Sequence, residues 1–415
     1  MLGRFKNTIE EYPNKFWVLV VATFVDKLGG TMIFPFFALY VTQRFDVGMT
    51  EAGVLFAIFS VSGFVGNMAG GALVDKIGRR SMLLFGLVFS ALSSLTMGFV
   101  GRLYVFYILA GFVGLLSDVA GPAQGAMVAD LLPEEQRADG FGILRVAANI
   151  SWIIGPVIGG FLATRSYLLL FILDAVSSLI TAAIVFRLIP ETKPETEVDK
   201  PPETILETIK GYRLVATDKL FIGFMMASVL MSLAYLQLYS TLSVYLRDVH
   251  GLQEQAYGAL MSINATTVVL LQFPITRRIS SKPPMMMMVL GSLLYLVGFS
   301  MYGLVTTYVL FVVAMLIITF GEMVVMPISQ AIVAGLAPTD MRGRYMAFFA
   351  LSWTIPSAVG PWAAGLIMDN IDPNWVWYAA GILSALAMLG FYLLHTQTKD
   401  RFAVSPGSQT FETTN

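Results

Sequence analysis

Two stretches of thirty residues decide the architecture: LLPEEQRADGFGILRVAANISWIIGPVIGG at 131–160 and LAPTDMRGRYMAFFALSWTIPSAVGPWAAG at 336–365. They align without a gap at an offset of 205 residues, about half of the 415-residue chain. The identities fall on punctuating residues, namely Leu131/Leu336, Pro133/Pro338, Arg137/Arg342, Gly155/Gly360, Pro156/Pro361 and Gly160/Gly365. The sequence therefore predicts two copies of one structural unit.

The composition argues against a soluble enzyme. Hydrophobic residues make up 56% of the chain and charged residues 13%, against about 45–50% and about 25% in average soluble domains. The chain has no Cys and only two His, His250 and His395, so we expect no disulfide, metal centre or other cofactor. A net charge of -1 provides no basic face for a nucleic acid.

Long apolar segments of about 20 residues are the sequence signature of membrane-spanning helices. We predict an all-α membrane protein with twelve transmembrane helices. The predicted spans are 16–41, 52–74, 81–101, 104–130, 141–163, 167–189, 220–246, 255–276, 285–304, 307–334, 345–367 and 375–395.

Basic residues set the orientation, because cytoplasmic loops carry an excess of Lys and Arg. With the N-terminus inside, 20 of the 26 basic residues fall in segments on the side of the termini, four in opposite loops and two within spans. Both termini are therefore expected in the cytoplasm, at the inner or plasma membrane of a prokaryotic cell. We call the side of the termini inner and the opposite side outer.

Repeat and spans together predict the domain organisation. We expect an N-terminal six-helix bundle at 1–189, a cytoplasmic linker at 190–219, a C-terminal six-helix bundle at 220–395 and a cytoplasmic tail at 396–415. Internal repeats of this kind are typical of transporters whose halves rock about a site at the bilayer midplane.

The loop after the second span reads GALVDKIGRRSML at 71–83. Glycines there permit close helix contact and a tight connection, and an Asp beside three cations can form a salt-bridged gate. The string resembles the loop signature of the major facilitator superfamily, which implies the major facilitator fold and a role in gating for this motif. Its residues are Gly71, Asp75, Lys76, Gly78, Arg79 and Arg80.

Span five contains GPVIGG, where Pro156 can kink the helix and Gly155, Gly159 and Gly160 allow close packing. This string resembles the antiporter motif of the twelve-span, drug:proton antiporter branch of the superfamily. Ordinary Gly/Pro packing is the alternative explanation, since the related GPWAAG recurs in span eleven. The branch usually carries an Arg in span four where this chain has Ala110.

Three acidic residues lie near the middle of spans: Asp26, Asp118 and Glu322. A charge at the bilayer centre costs at least about 2.5–3.5 kcal/mol and usually has a function. We interpret these residues as candidates for proton coupling, with structural ion pairs such as Asp118 with Arg145 as the alternative. Asp174, nearer the outer surface, is interpreted as a helix-packing or rim residue.

Other polar and aromatic residues within the spans are candidates for a substrate cavity. The alternative for these residues is plain contact with lipid or neighbouring helices. The candidates are Arg145, Asn149, Tyr235, Gln237, Tyr239 and Asn264.

These observations predict a secondary active transporter, not an enzyme, driven by a proton gradient. It would export small amphipathic or cationic compounds by antiport and alternating access, as a monomer whose partners are its substrate, protons and membrane lipids. A sugar or metabolite carrier, a lipid or glycolipid flippase, and a non-transporting sensor on the same scaffold remain alternatives.

Overall fold

A computed structural model describes residues 11–192, 212–338 and 341–398 of the chain. Within these ranges the chain forms helices and short connections and no strand. The all-helical prediction is therefore confirmed. The predicted tail and most of the predicted linker lie outside the described residues.

Within its described residues, the first half of the sequence forms eight α-helices joined by short connections. A 3-10 turn at Phe34–Phe36, containing Pro35, separates α1 from α2. The helices are α1 (Asn14–Ile33), α2 (Phe37–Phe45), α3 (Met49–Ile77), α4 (Arg79–Phe99), α5 (Leu103–Asp118), α6 (Gly121–Leu131), α7 (Glu134–Ala163) and α8 (Tyr167–Leu188).

The second half follows a similar order. A short helical segment at 212–217 precedes the first long helix. The helices are α9 (Lys219–Tyr235), α10 (Gln237–Ser240), α11 (Leu242–His250), α12 (Glu254–Ile279), α13 (Pro284–Tyr302), α14 (Tyr308–Leu336), α15 (Arg342–Phe349), α16 (Leu351–Asn370) and α17 (Asn374–Thr398).

Eleven helical segments of the described chain are long and apolar enough to cross a membrane. The predicted span at 345–367 is not among them. Its helix is interrupted at Ala350, between α15 and α16, and α16 contains Pro356 and Pro361. Pro, Ser, Gly and Trp lower its mean hydropathy. At 20 residues, α16 still has the length that a bilayer core requires, so the prediction of twelve spans agrees approximately with the structure.

The two repeats differ in local structure at matched positions. Pro122 stands in the first turn of α6, after the break that separates α5 from α6, whereas its repeat partner Pro327 lies inside the continuous helix α14. Conversely, α7 is continuous around Pro156, while the corresponding part of the second repeat is divided into α15 and α16. Equivalent segments of the two copies are thus interrupted at different places, and of the two proline pairs only Pro122 and Pro327 differ in local structure.

Contacts group the chain into two compact units. Unit 1 comprises Met1–Pro202, Leu236–Val269 and Thr354–Val376, and unit 2 comprises Glu203–Tyr235, Leu270–Trp353 and Trp377–Asn415. Unit 1 therefore joins the first sequence half to outer parts of second-half helices, including those of α12 and α16. The predicted bundles at 1–189 and 220–395 follow from the sequence repeat and stay a prediction.

Candidate functional site

Two carboxylates from different helices approach each other within unit 1. Asp26 on α1 accepts a hydrogen bond of 3.3 Å from the Ser178 hydroxyl of α8. Asp174, one turn before Ser178, is only 7% exposed and accepts a hydrogen bond from the Ser94 hydroxyl of α4. The two carboxylates interact electrostatically. We call Asp26, Asp174, Ser94 and Ser178 the acidic pair site.

Close packing of α1 against α8 brings these carboxylates together. A Cβ atom added to Gly29 would lie 2.8 Å from Asp174 Oδ1 and 3.0 Å from Asp174 Cα, so only glycine leaves room for α8 at this point. One turn beyond Ser178, the Thr181 hydroxyl donates a 3.3 Å hydrogen bond to the Ala22 carbonyl oxygen of α1. Buried polar groups need such partners, and hydroxyls supply them here.

The sequence analysis selected Asp26 as a proton-coupling candidate and Asp174 as a packing or rim residue, but it did not pair the two. Asp174 is a buried, hydrogen-bonded residue, which fits a packing role and not the surface position that a rim residue would occupy. The sequence does contain a signal for this site. The spans that form α4 and α8 each contain a Ser–Ser pair among apolar residues, ALSSLT at 91–96 and AVSSLI at 175–180. Each pair contributes one hydroxyl to a carboxylate of the acidic pair site.

The structure gives less detail for the other two acidic candidates, Asp118 and Glu322. The side chain of Asp118, the last residue of α5, lies outside what the structure describes. Glu322 lies half-buried on α14 in unit 2 and interacts with a partner. Beside it, the Gln272 side-chain amide of α12 donates a 3.0 Å hydrogen bond to the Met323 carbonyl oxygen.

An aromatic trio, defined as Phe34, Trp152 and Tyr239, brings both sequence halves together in unit 1. The Trp152 and Tyr239 ring centroids are 5.4 Å apart in an edge-to-face arrangement. Phe34 lies 6.2 Å from each of the other two rings. All three side chains retain exposed surface, with Phe34 at 44%. Tyr239 was selected from sequence as a cavity residue, whereas Phe34 and Trp152 were missed.

The remaining cavity candidates fall into two groups. Gln237 and Asn264 are buried, and Gln237 accepts a 2.5 Å hydrogen bond from the Thr241 hydroxyl. Tyr235 is also buried, in unit 2. Arg145 is exposed and Asn149 half-buried, one turn apart on α7. The structure thus makes Arg145, Asn149 and Tyr239 the accessible members of the predicted set.

The glycines of GPVIGG bring neighbouring helices close to α7. A Cβ on Gly155 would lie 2.8 Å from Thr31 Cβ, and one on Gly159 would lie 2.5 Å from the Met32 carbonyl oxygen, both on α1. On Gly160 it would meet the Glu254 carbonyl oxygen at 2.9 Å. Pro156 lies inside the helix. The motif therefore packs α7 on helices from both sequence halves.

The inner loop at 71–83 has a tight turn whose side-chain partners were not predicted. Gly78 is the single residue between α3 and α4, and its φ of 116° lies in the region that favours glycine. Arg79 pairs with Asp130 of α6 at 3.2 Å. Arg80 donates a 2.5 Å hydrogen bond to the Phe186 carbonyl oxygen of α8.

The remaining residues of the loop motif are Gly71, Asp75 and Lys76. Lys76 is exposed, and the side chain of Asp75 lies outside what the structure describes, as does the surrounding of Gly71. The gating role of the motif therefore stays a prediction.

Glu191, which the sequence analysis did not select, organises the same loop. Its Oε1 accepts the backbone N–H groups of Arg79 at 2.7 Å and Arg80 at 3.2 Å, and its Oε2 accepts that of Ser81 at 3.4 Å. These N–H groups belong to the first turn of α4, where helical partners are missing. We call this arrangement of Glu191 on α4 the inner cap.

Comparisons with known proteins agree with the fold. A "Na(+), Li(+), K(+)/H(+) antiporter" of Planococcus maritimus is 28% identical over 93% of this chain and 96% of its own length. The "Multidrug resistance protein MdtH" of Salmonella paratyphi B is 24% identical over 94% of this chain and 97% of its own. The crystal structure of the nucleoside transporter NupG matches with a TM-score of 0.76 at 12% identity, covering 93% of this chain and all of that one.

The family assignment follows from a match over most of the chain. The sequence profile described as Major Facilitator Superfamily matches residues 19–361 and 287–412. The family and the Planococcus maritimus and Salmonella relatives are transporters, so the prediction that the chain is not an enzyme is confirmed. It is an integral, multi-pass membrane protein. This chain belongs to the Major Facilitator Superfamily of transporters.

Proposed function

We propose that the protein is a proton-coupled antiporter of the bacterial plasma membrane that exports small cationic or amphipathic compounds, with both termini in the cytoplasm. The observation that carries the proposal is the acidic pair site. Asp26 and Asp174 lie inside membrane spans, in electrostatic range of each other and of Lys27. Two such carboxylates can share one added positive charge, either a proton or a cation, and this competition is the basis of antiport.

The aromatic trio supports the substrate class. Phe34, Trp152 and Tyr239 expose parts of three rings in mutual contact. Aromatic faces attract cations by about 0.5–2 kcal/mol and also bind apolar surface. A lipophilic cation presents both properties. The trio joins α7 and the 3-10 turn after α1 to a second-half residue, so a substrate held there would contact both repeats.

Exchange of alkali cations for protons is a second candidate function. Carboxylate and hydroxyl oxygens, the ligand types that hard cations prefer, are the polar groups of the acidic pair site. The Planococcus maritimus relative is named as an antiporter of Na(+), Li(+) and K(+) against protons. Here the acidic pair site alone would bind the exported ion, and the aromatic trio would have no part in recognition.

Purified protein in liposomes with a pH-reporting dye inside separates these functions. Tetraphenylphosphonium or an alkali chloride is added, and wild type is compared with Asp26→Asn, Asp174→Asn and Trp152→Ala. Asp248→Asn is the matched control, because Asp248 is an acidic residue that pairs with its neighbour Arg247 outside the site.

Under the proposal, tetraphenylphosphonium moves protons, and Asp26→Asn and Asp174→Asn each lower the rate at least about tenfold, as loss of about 1.4 kcal/mol of interaction would. Trp152→Ala lowers the proton movement driven by the organic cation and leaves that driven by alkali ions unchanged. Proton movement with alkali ions alone, insensitive to Trp152→Ala, would establish the second candidate instead. Rates that Asp26→Asn and Asp174→Asn leave unchanged would contradict both.

A further inference from the structure

We infer that Asp369 is a gating residue that holds the outer ends of the two repeats together. Asp369 lies at the outer end of α16, and its carboxylate reaches the first residues of α3. Its Oδ1 accepts the Met49 N–H at 3.0 Å, and its Oδ2 accepts the Thr50 N–H at 2.7 Å and the Thr50 hydroxyl at 2.5 Å. We call this arrangement of Asp369 on α3 the outer cap.

The outer cap fills a need that α3 cannot meet locally. The first backbone N–H groups of a helix have no helical partner and carry partial positive charge, so a carboxylate there is stabilising. The residue before α3 is Gly48, which has no side chain to accept them. Asp369, 320 residues away from Met49 in sequence, supplies both the acceptors and the negative charge.

Glycines allow α3 and α16 to touch at this end. A Cβ on Gly48 would lie 2.7 Å from Asp369 Cγ, and one on Gly365 would lie 2.6 Å from the Met49 carbonyl carbon. One turn further along α3, a Cβ on Gly53 would lie 2.6 Å from the Trp362 backbone nitrogen. Larger residues at any of these positions would force the two helices apart.

Inward from this contact, an open groove of about 660 Å³ lies between the same two helices, and its wall is almost wholly apolar. It is lined by Val54, Ala57, Ile58, Val61, Ser62, Ala358, Val359 and Trp362. The outer cap therefore stands at the outer end of the groove between α3 and α16.

Opening of the outer side must break this contact. The helix α3 belongs to the first repeat and α16 to the second, and transport in repeat-built transporters moves one repeat against the other. The outer cap thus favours the state that is closed on the outer side. This inference concerns the gate and goes beyond the proposed function, because it holds for any substrate.

Spin-label distance measurements test it without a substrate. The chain has no Cys, so Gln43→Cys and Ile371→Cys, at exposed positions near the outer ends of α2 and α16, can be labelled directly. The distance distribution is compared between this labelled protein and the same protein carrying Asp369→Ala or Asp369→Asn. Asp372→Ala is the matched control, because Asp372 lies three residues after Asp369, just beyond α16, but accepts the Asn374 N–H at 2.8 Å.

In Asp369→Ala we expect a second population with a longer distance between the spin labels. The ratio of the long-distance to the short-distance population should rise about 3- to 30-fold, because a charged helix cap is lost. In Asp369→Asn, which keeps one acceptor oxygen, this ratio should rise less. In Asp372→Ala it should match that of wild type. Gly53→Val, which keeps Asp369, should also raise the long component. An unchanged distribution in Asp369→Ala, with folded protein, would overturn the inference, whatever Gly53→Val does, as would an equal response to Asp372→Ala.

Discussion

The inner cap and the outer cap use one chemical device at opposite ends of adjoining helices. In each, a carboxylate accepts the first N–H groups of a helix whose preceding residue is a glycine: Glu191 on α4 after Gly78, and Asp369 on α3 after Gly48. They differ in what they join. Glu191 follows shortly after α8 of the first repeat, to which α4 also belongs, whereas Asp369 and α3 belong to different repeats. The same contact is therefore permanent in one place and must be broken in the other.

A covalent lock has the largest expected effect on this comparison. Because a Cβ on Gly48 lies 2.7 Å from Asp369 Cγ, Gly48→Cys with Asp369→Cys should form a disulfide. Oxidation should then abolish transport in liposomes, and reduction should restore it. Ser81→Cys with Glu191→Cys is the counterpart at the inner cap, and its cross-link should leave transport intact. Transport that continues in the oxidised Gly48/Asp369 pair would show that this end does not open.

Replacing the two cap glycines separates strain from gating. Gly78→Ala places a side chain at φ 116° and ψ 154°, a conformation that costs non-glycine residues about 1–3 kcal/mol, and should lower the melting temperature in detergent. Gly48 has φ -75°, so Gly48→Ala adds no backbone strain but crowds Asp369. It should raise the long-distance component at the outer ends with little change in melting temperature. Equal melting losses in both variants would refute the distinction.

Removing the inner carboxylate should affect stability and leave the gate unchanged. Glu191→Ala deprives three backbone N–H groups of their acceptor, which costs about 0.5–2 kcal/mol for a helix cap. We expect a lower melting temperature and an unchanged distance distribution at the outer ends. Glu191→Gln, which retains an acceptor, should recover part of the loss. A shift in the outer distances on Glu191→Ala would mean that the two caps are coupled.

The smallest expected effect comes from one hydroxyl of the outer cap. Thr50→Val keeps the shape of the side chain and the backbone N–H but removes the 2.5 Å hydrogen bond to Asp369. Such a bond contributes about 0.5–1.5 kcal/mol, which corresponds to about a 2- to 10-fold rise in the long-distance ratio. Thr96→Val is a control on the outer part of α4, because the Thr96 hydroxyl donates a hydrogen bond within its own helix, to the Leu92 carbonyl oxygen. Indistinguishable results for the two variants would place the stabilisation in the backbone contacts alone.

Periodicity and composition allowed much of the architecture to be predicted. Long apolar segments indicate burial in lipid regardless of their neighbours, so eleven of the twelve predicted spans were confirmed. The family, which the resemblance of the loop at 71–83 implied, was confirmed as well. The span at 345–367 was the hardest to place, since its prolines and polar residues reduce its hydropathy. Asp26 was selected because a charge in a span is costly wherever its partners are.

Partners of these charges were not predictable in the same way. Asp174 and Ser94 are 80 residues apart, and Asp369 and Met49 are 320 apart. Nothing in the local pattern of either sequence segment indicates the other. The Ser–Ser pairs in spans three and six are visible in the sequence. Only the packing of α4, α1 and α8 shows that they donate hydrogen bonds to Asp174 and Asp26.

The sequence by itself determined the membrane helices, the internal repeat and the presence of costly charges within spans, because each depends on the residue types along one segment. Tertiary structure alone decided which carboxylate meets which helix. A hydrogen bond acts over about 3 Å, while the chain that separates its partners spans tens or hundreds of residues. Hence the outer closure by Asp369 appears only when the two repeats are folded together.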